Sequence, residues 1–129
     1  MLTGRITAKK EAVVKIQVLG PAGQAALVEA AIDTGYDGFL TLPALLIHDL
    51  DLPFEGTARA TLGDGTTVSM DVFRAIVAWE DESRKVLVLA AEGGAHLGMA
   101  MLAGSRVTLD VEDEGAITIE SLARIRSVH

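Results

Sequence analysis

An apolar stretch, Ala25-Ala26-Leu27-Val28-Glu29-Ala30-Ala31-Ile32, runs directly into Asp33-Thr34-Gly35. The chain then continues through Tyr36-Asp37-Gly38 into Phe39-Leu40-Thr41-Leu42-Pro43. An acid wedged between two strands of this character constrains the fold more than anything else in the sequence. The carboxylate must sit in a tight turn at the edge of a core, and the glycines give the backbone the freedom such a turn needs. A carboxylate delivered this way is held rigidly and partly sheltered, as a functional group has to be. Asp33, Thr34 and Gly35 are therefore the first candidate site residues.

The flanking pattern is that of short strands. Val14, Ile16 and Val18 alternate with Lys15 and Gln17, which predicts a half-buried strand over Glu11–Leu19. A turn at Gly20-Pro21-Ala22-Gly23 separates it from the strand that carries Asp33. Pro43 suits the first position of a helix running to Leu50, with Leu46 and Leu50 on one face. Thr57–Leu62 and Thr66–Trp79 are expected to pair through Gly63-Asp64-Gly65, a strong hairpin signal. After the charged turn Glu80-Asp81-Glu82-Ser83, the run Val86-Leu87-Val88-Leu89 predicts a strand buried on both faces. Met99–Leu102 is expected to form one helical turn closed by Gly104. Arg106–Val111 and Ala116–Glu120 make a last hairpin around an acidic turn, a solvated edge that includes Asp110, Glu112, Asp113 and Glu114. Two forms stand open for Leu122–Arg126, a strand or a frayed tail. The fold class is thus all-β with one or two short helices. At 129 residues, positions 1–129 are expected to form one domain.

Composition removes several function classes. A net charge of −7 argues against nucleic acid or an anionic membrane as partner. No cysteine is present, so thiolate metal sites and cysteine nucleophiles are excluded. Met1-Leu2-Thr3-Gly4-Arg5-Ile6 lacks the apolar run of a signal peptide, and a cytoplasmic protein is expected. His48, His96 and His129 lack ligand-like spacing, and neither metal nor cofactor is expected. The serines lack a nucleophile elbow, and Gly63-Asp64-Gly65 has no following Lys to make it a phosphate loop. Met99 and Met101 are expected in the core. Half the residues are hydrophobic, a surplus that in a small domain often goes into a subunit interface.

Asp33-Thr34-Gly35 with its extension through Pro43 resembles the active-site loop of retropepsin-like aspartic proteases. It is most similar to their small bacterial branch, whose loop reads Asp-Thr-Gly, aromatic, any residue, Gly, aromatic, Leu, Thr, Leu, Pro. Two further landmarks follow in the family's order. Gly63-Asp64-Gly65 falls where the family places the flap that closes over substrate. His96-Leu97-Gly98, before the Met99–Leu102 turn, falls where a hydrophobic-hydrophobic-Gly element packs beneath the catalytic loop. The resemblance spans about Val13 to Glu120 and implies a closed β-barrel.

It also implies that Asp33 is catalytic, that Thr34 reaches across to a second subunit, and that Gly35 lets the substrate backbone approach. Asp37 matches a position that binds substrate amides in retroviral relatives, but bacterial relatives vary there, and it is read as a turn-stabilising Asx residue with substrate binding as the alternative. Tyr36, an aromatic as in the bacterial branch, stands where it would narrow a substrate cleft, next to Asp37 and Gly38. His96 departs from the usual Leu or Ile, so its ring must find a partner or stay partly solvated. It is read as structural, with a catalytic or pH-sensing role as the alternative.

Only one Asp-Thr-Gly is present, whereas hydrolysis of a peptide bond by carboxylates needs both a base and an acid. A second copy must supply the other carboxylate, giving a two-fold symmetric homodimer with the site on its axis. The expected function is that of an aspartic endopeptidase acting on a peptide or protein. The alternative is a non-catalytic dimer that binds a peptide or partner protein in the same cleft. A subunit that packs on another protein through its apolar surface is a third reading.

Overall fold

The computed structural model describes residues 1–61 and 64–127. Its elements in chain order are β1 (Leu2–Ile6), β2 (Ala12–Leu19), β3 (Ala25–Ile32), β4 (Leu40–Leu42), α1 (Ala44–Asp49), β5 (Phe54–Thr61) and β6 (Thr67–Trp79). They are followed by β7 (Glu82–Ala90), β8 (Ala95–Leu97), α2 (Met99–Leu102), β9 (Ser105–Leu109), β10 (Ala116–Ser121) and α3 (Leu122–Ser127). The strands run in the order β5-β6-β7-β4-β8-β3-β2-β1-β10-β9, and a further pairing of β6 with β2 closes six of them into a barrel. Closure removes free edges from β2, β3, β4, β6, β7 and β8.

Alternation along β2 accounts for this arrangement. Val14, Ile16 and Val18 point into the barrel, at 1% exposure or less, while Lys15 and Gln17 face out. Its first half pairs with β1 and its second half with β6, so one strand edge serves both the barrel and the β1-β10-β9 extension. Trp79, Leu40, Leu42, Val77, Val88, Leu97 and Met101 join the same hydrophobic cluster. A large-to-small change at such a position costs about 2–5 kcal/mol.

Several expectations change. The apolar run in β7 is buried on one face only: Val86 and Val88 are inside, but Leu87 is 50% exposed. An antiparallel partner on β6 and a free outer face make this a half-buried strand in spite of its composition. Leu122–Ser127 is a helix, not a strand or a tail, and so the described residues hold three short helices. Pro43 caps α1 from outside, in extended conformation, and the helix proper begins at Ala44. Met101 is fully buried as expected, but Met99 is 48% exposed. None of the helices among the described residues is long and apolar enough to cross a membrane.

Candidate active site

β3 and β4 are not neighbours. β8 lies between them, parallel to β3 and antiparallel to β4, so the Asp33–Phe39 connection must cross the end of β8. That crossing is stitched down by backbone hydrogen bonds on both sides. The Asp33 amide donates to the Leu97 carbonyl (2.9 Å), and the Gly98 amide donates to Phe39 (3.0 Å). Beyond β8, the amides of Met99 and Ala100 donate to the carbonyls of Tyr36 (2.7 Å) and Gly38 (3.0 Å). The first amides of α2 have no partner inside the helix, and the loop carbonyls satisfy them. His96, Leu97 and Gly98 therefore lie directly under the loop that carries Asp33.

Gly98 is required by the closeness of this packing. It is buried, and a Cβ built on it would overlap the carbonyl oxygen of Gly38 and meet the ring of Tyr36. Gly38 is similar, since a Cβ there would run into the Tyr36 ring. The Tyr36 ring thus covers both glycines and pins the loop to the start of α2. Burial is the larger cause holding its phenol above the ordinary tyrosine range, and the neighbouring Asp37 carboxylate adds to it.

Asp33 itself is half-buried, and its Oδ1 accepts the Gly35 amide at 2.9 Å. This short bridge holds one carboxylate oxygen, while Oδ2 makes no hydrogen bond among the described residues. Thr34 and Gly35 are exposed beside it. The Asx bond expected at Asp37 is made instead by Asp33. Asp37 is exposed and makes no side-chain hydrogen bond among the described residues.

His96 finds the partner its ring needs. Thr41, on the adjacent strand β4, places its hydroxyl 3.1 Å from the His96 ring Nδ1 and accepts the His96 amide at 3.1 Å. Among the described residues Thr41 is the one buried polar residue of the core, flanked by Leu40 and Leu42. No role for it was legible in the sequence, although a hydroxyl between two buried leucines signals a partner on a neighbouring strand.

The hairpin of β5 and β6 forms an arm whose outer residues, Thr57–Arg59 and Thr66–Ser69, are exposed. Gly63 lies outside the described residues. At the tip, Asp64 Oδ1 accepts the amide (2.9 Å) and the hydroxyl (2.6 Å) of Thr66, and these bonds hold its carboxyl below the usual range. Gly65 adopts φ +87°, a conformation that favours glycine.

A groove of about 400 Å³ opens beside the loop, between Ile32, Thr34, Met99, Leu102, Val107 and Leu109. Its wall includes β9, the free edge of the sheet. Among the described residues no three His, Asp or Glu side chains come together in a way that could hold a metal ion. The chain matches no protein-family model, and no curated protein matches its sequence.

Proposed function

We propose that the chain is an aspartic endopeptidase of retropepsin-like build, active as a homodimer in which each copy contributes one Asp33. The observation that carries this reading is the way Asp33 is held. Its amide is tied to Leu97 and its Oδ1 to Gly35, with the opposite oxygen left open. A carboxylate fixed at its backbone and at one oxygen is what a preorganised reacting group requires, and this supports the reading.

One carboxylate cannot be base and acid in the same step. Two brought within a few ångströms share a proton, because both cannot ionise so close together, and their apparent pKa values divide. The ionised Asp33 takes a proton from water, whose oxygen attacks the peptide carbonyl. The protonated Asp33 of the other copy donates to the carbonyl oxygen, and proton return to the nitrogen completes cleavage. The apparent pKa values belong to the pair, so neither copy owns one.

The second copy is read as docking on the groove beside Thr34. That groove is apolar, it borders the loop, and a free strand edge forms its wall. Exposed Met99 and Leu109 would be buried there.

Peptide-library hydrolysis by wild type and Asp33→Asn tests the reading. The substitution keeps size and hydrogen-bonding shape but removes the ionisable group. Cleavage should be lost, and mixed dimers in which only one chain carries the substitution should be severely impaired. Turnover by Asp33→Asn at the wild-type rate would overturn it.

A further inference from the structure

The sheet ends in two free edges, β5 and β9, and the two are protected differently. An unpaired edge is an open template for another strand, and proteins blunt it with bulges, proline or lysine. β5 has a register shift between Phe54 and Gly56, and its Glu55 is already paired with Arg74 at 3.1 Å. β9 has no such device. Its register on β10 is unbroken from Ser105 to Leu109, and it contains neither proline nor lysine.

The backbone groups at the open edge follow from those that are spent. The Asp110 amide donates to the Ala116 carbonyl at 2.9 Å, so the backbone of Asp110 faces β10. Alternation along the strand turns Arg106 and Thr108 the same way and leaves the amides and carbonyls of Val107 and Leu109 at the open edge. Side chains alternate as well. Val107 and Leu109 line the groove beside Thr34, whereas Arg106, Thr108 and Asp110 are exposed on the opposite face.

This strand is complementary to itself. An antiparallel copy centred on Thr108 sets Val107 against Leu109 of the partner subunit, with their unspent amides and carbonyls facing one another. The same register sets Arg106 against Asp110 of the partner subunit, twice in each pair of chains, and Thr108 against its own counterpart. Aliphatic meets aliphatic, cation meets anion and hydroxyl meets hydroxyl, each a favourable cross-strand pair. Within the chain, Arg106 and Asp110 form no ion pair among the described residues. Neighbouring registers lose this match. Centring on Val107 would set Arg106 against Thr108, and centring on Leu109 would set Asp110 against Thr108.

We propose that a second copy of the chain occupies this edge, pairing β9 with β9 in antiparallel fashion about a two-fold axis at Thr108. The two sheets then become one, and the two grooves become a single apolar seam. Ile32 and Thr34, which flank Asp33, line the same groove, so both Asp33 loops border that seam. The proposal rests on the homodimer read above and goes beyond it by fixing the strand, the direction and the register of the contact.

Charge reversal with sedimentation of the full chain tests the register. Arg106→Asp and Asp110→Arg each oppose like charges twice across the axis, and each should weaken the dimer about tenfold or more. Mixed in equal amounts, or combined in one chain, the two changes restore both pairs and should recover the wild-type dimer. The chain has no cysteine, so a single introduced thiol reports its own position. Thr108→Cys should cross-link to its counterpart on mild oxidation, since directly opposed residues lie within disulfide reach. Arg106→Cys should not, because its counterpart lies roughly 13 Å away along the strand. Asp33→Asn should dimerise as wild type does, which separates this contact from the chemistry. A dimeric wild type whose reversals fail to rescue one another, or equal cross-linking of the two cysteine variants, overturns the register and leaves the homodimer standing. A wild-type chain that stays monomeric overturns both. The cysteine variants decide the register even where a charge reversal does not fold.

Discussion

The hydroxyl of Thr41 serves two atoms of His96, accepting the backbone amide at 3.1 Å and meeting the ring Nδ1 at 3.1 Å. β4 and β8 are thereby joined by a side chain as well as by their ladder, immediately before the Leu97 carbonyl that holds the Asp33 amide. Thr41→Val keeps the shape and deletes the oxygen. With the His96 ring Nδ1 left without its partner, it should cost about 1–3 kcal/mol. His96→Leu in the same background should cost less than the two single changes added together. Urea unfolding of the four proteins measures this, and simple additivity would show that the contact is incidental.

Gly98 supports the loop by lacking a side chain. Gly98→Ala would press a methyl group against the Gly38 carbonyl and the Tyr36 ring, both held in place by hydrogen bonds and packing. A loss of about 1–3 kcal/mol is expected, the usual cost of overpacking. Peptidase activity should fall further than stability does, because the loop displaced is the one that carries Asp33. A melting temperature equal to that of wild type would show that the contact yields easily.

The Tyr36 phenol gives a pH signature. Its pKa is raised in the folded protein, by burial first and by Asp37 second, so folding favours the neutral form. The resulting stability is fully present below the ordinary tyrosine value of 10.0 and is lost as pH rises through the higher folded value. Tyr36→Phe should remove this alkaline loss, and Asp37→Asn should reduce it only in part. The chain has one tyrosine, so phenolate absorbance follows the group directly. A titration midpoint at or below 10.0 would contradict the packing described.

Much of this was written in the sequence, because strand period and turn chemistry are local. Ala25–Ile32 has the predicted bounds, and Met99–Leu102 is helical as expected. The misses are of another kind. Leu87 looks buried from its neighbours, but its exposure depends on what covers the outer face of β7, and nothing in the β7 sequence records that. β1 and β8 have too few residues to show a period, and they exist because β2, β3 and β4 offer them edges. For the candidate site, Asp33, Gly35 and Gly98 could be read from sequence, but the bond from Asp33 to Leu97 joins residues that are neighbours only once β8 has slipped between β3 and β4.

Dimerisation through the groove has its own test. Met99 and Leu109 are 48% and 42% exposed at its rim, and a charge there would be buried unpaired in the proposed dimer. Met99→Asp should therefore yield a monomer by sedimentation and lower activity at least tenfold at a fixed concentration, while leaving the circular dichroism spectrum unchanged. Wild-type activity should in turn fall on dilution faster than concentration does. An active Met99→Asp protein that sediments as a dimer would move the interface elsewhere.

The β5–β6 arm offers a way to separate an enzyme from a binding module. Gly65 holds φ +87°, and Asp64 fixes the turn beside it through two bonds to Thr66. Gly65→Val forces a β-branched residue into a conformation that it resists, and Asp64→Ala removes both bonds. Neither change touches the barrel, so each variant should melt close to the wild-type temperature. In an enzyme the arm must close over substrate to exclude water and align the scissile bond. Both variants should then lose turnover, by about tenfold or more, with a smaller change in KM. A module that only binds peptide would show altered affinity, and no hydrolysis would appear in wild type or variants from mildly acidic to neutral pH. Saturable peptide binding without cleavage under all of these conditions would replace the endopeptidase reading with the binding one.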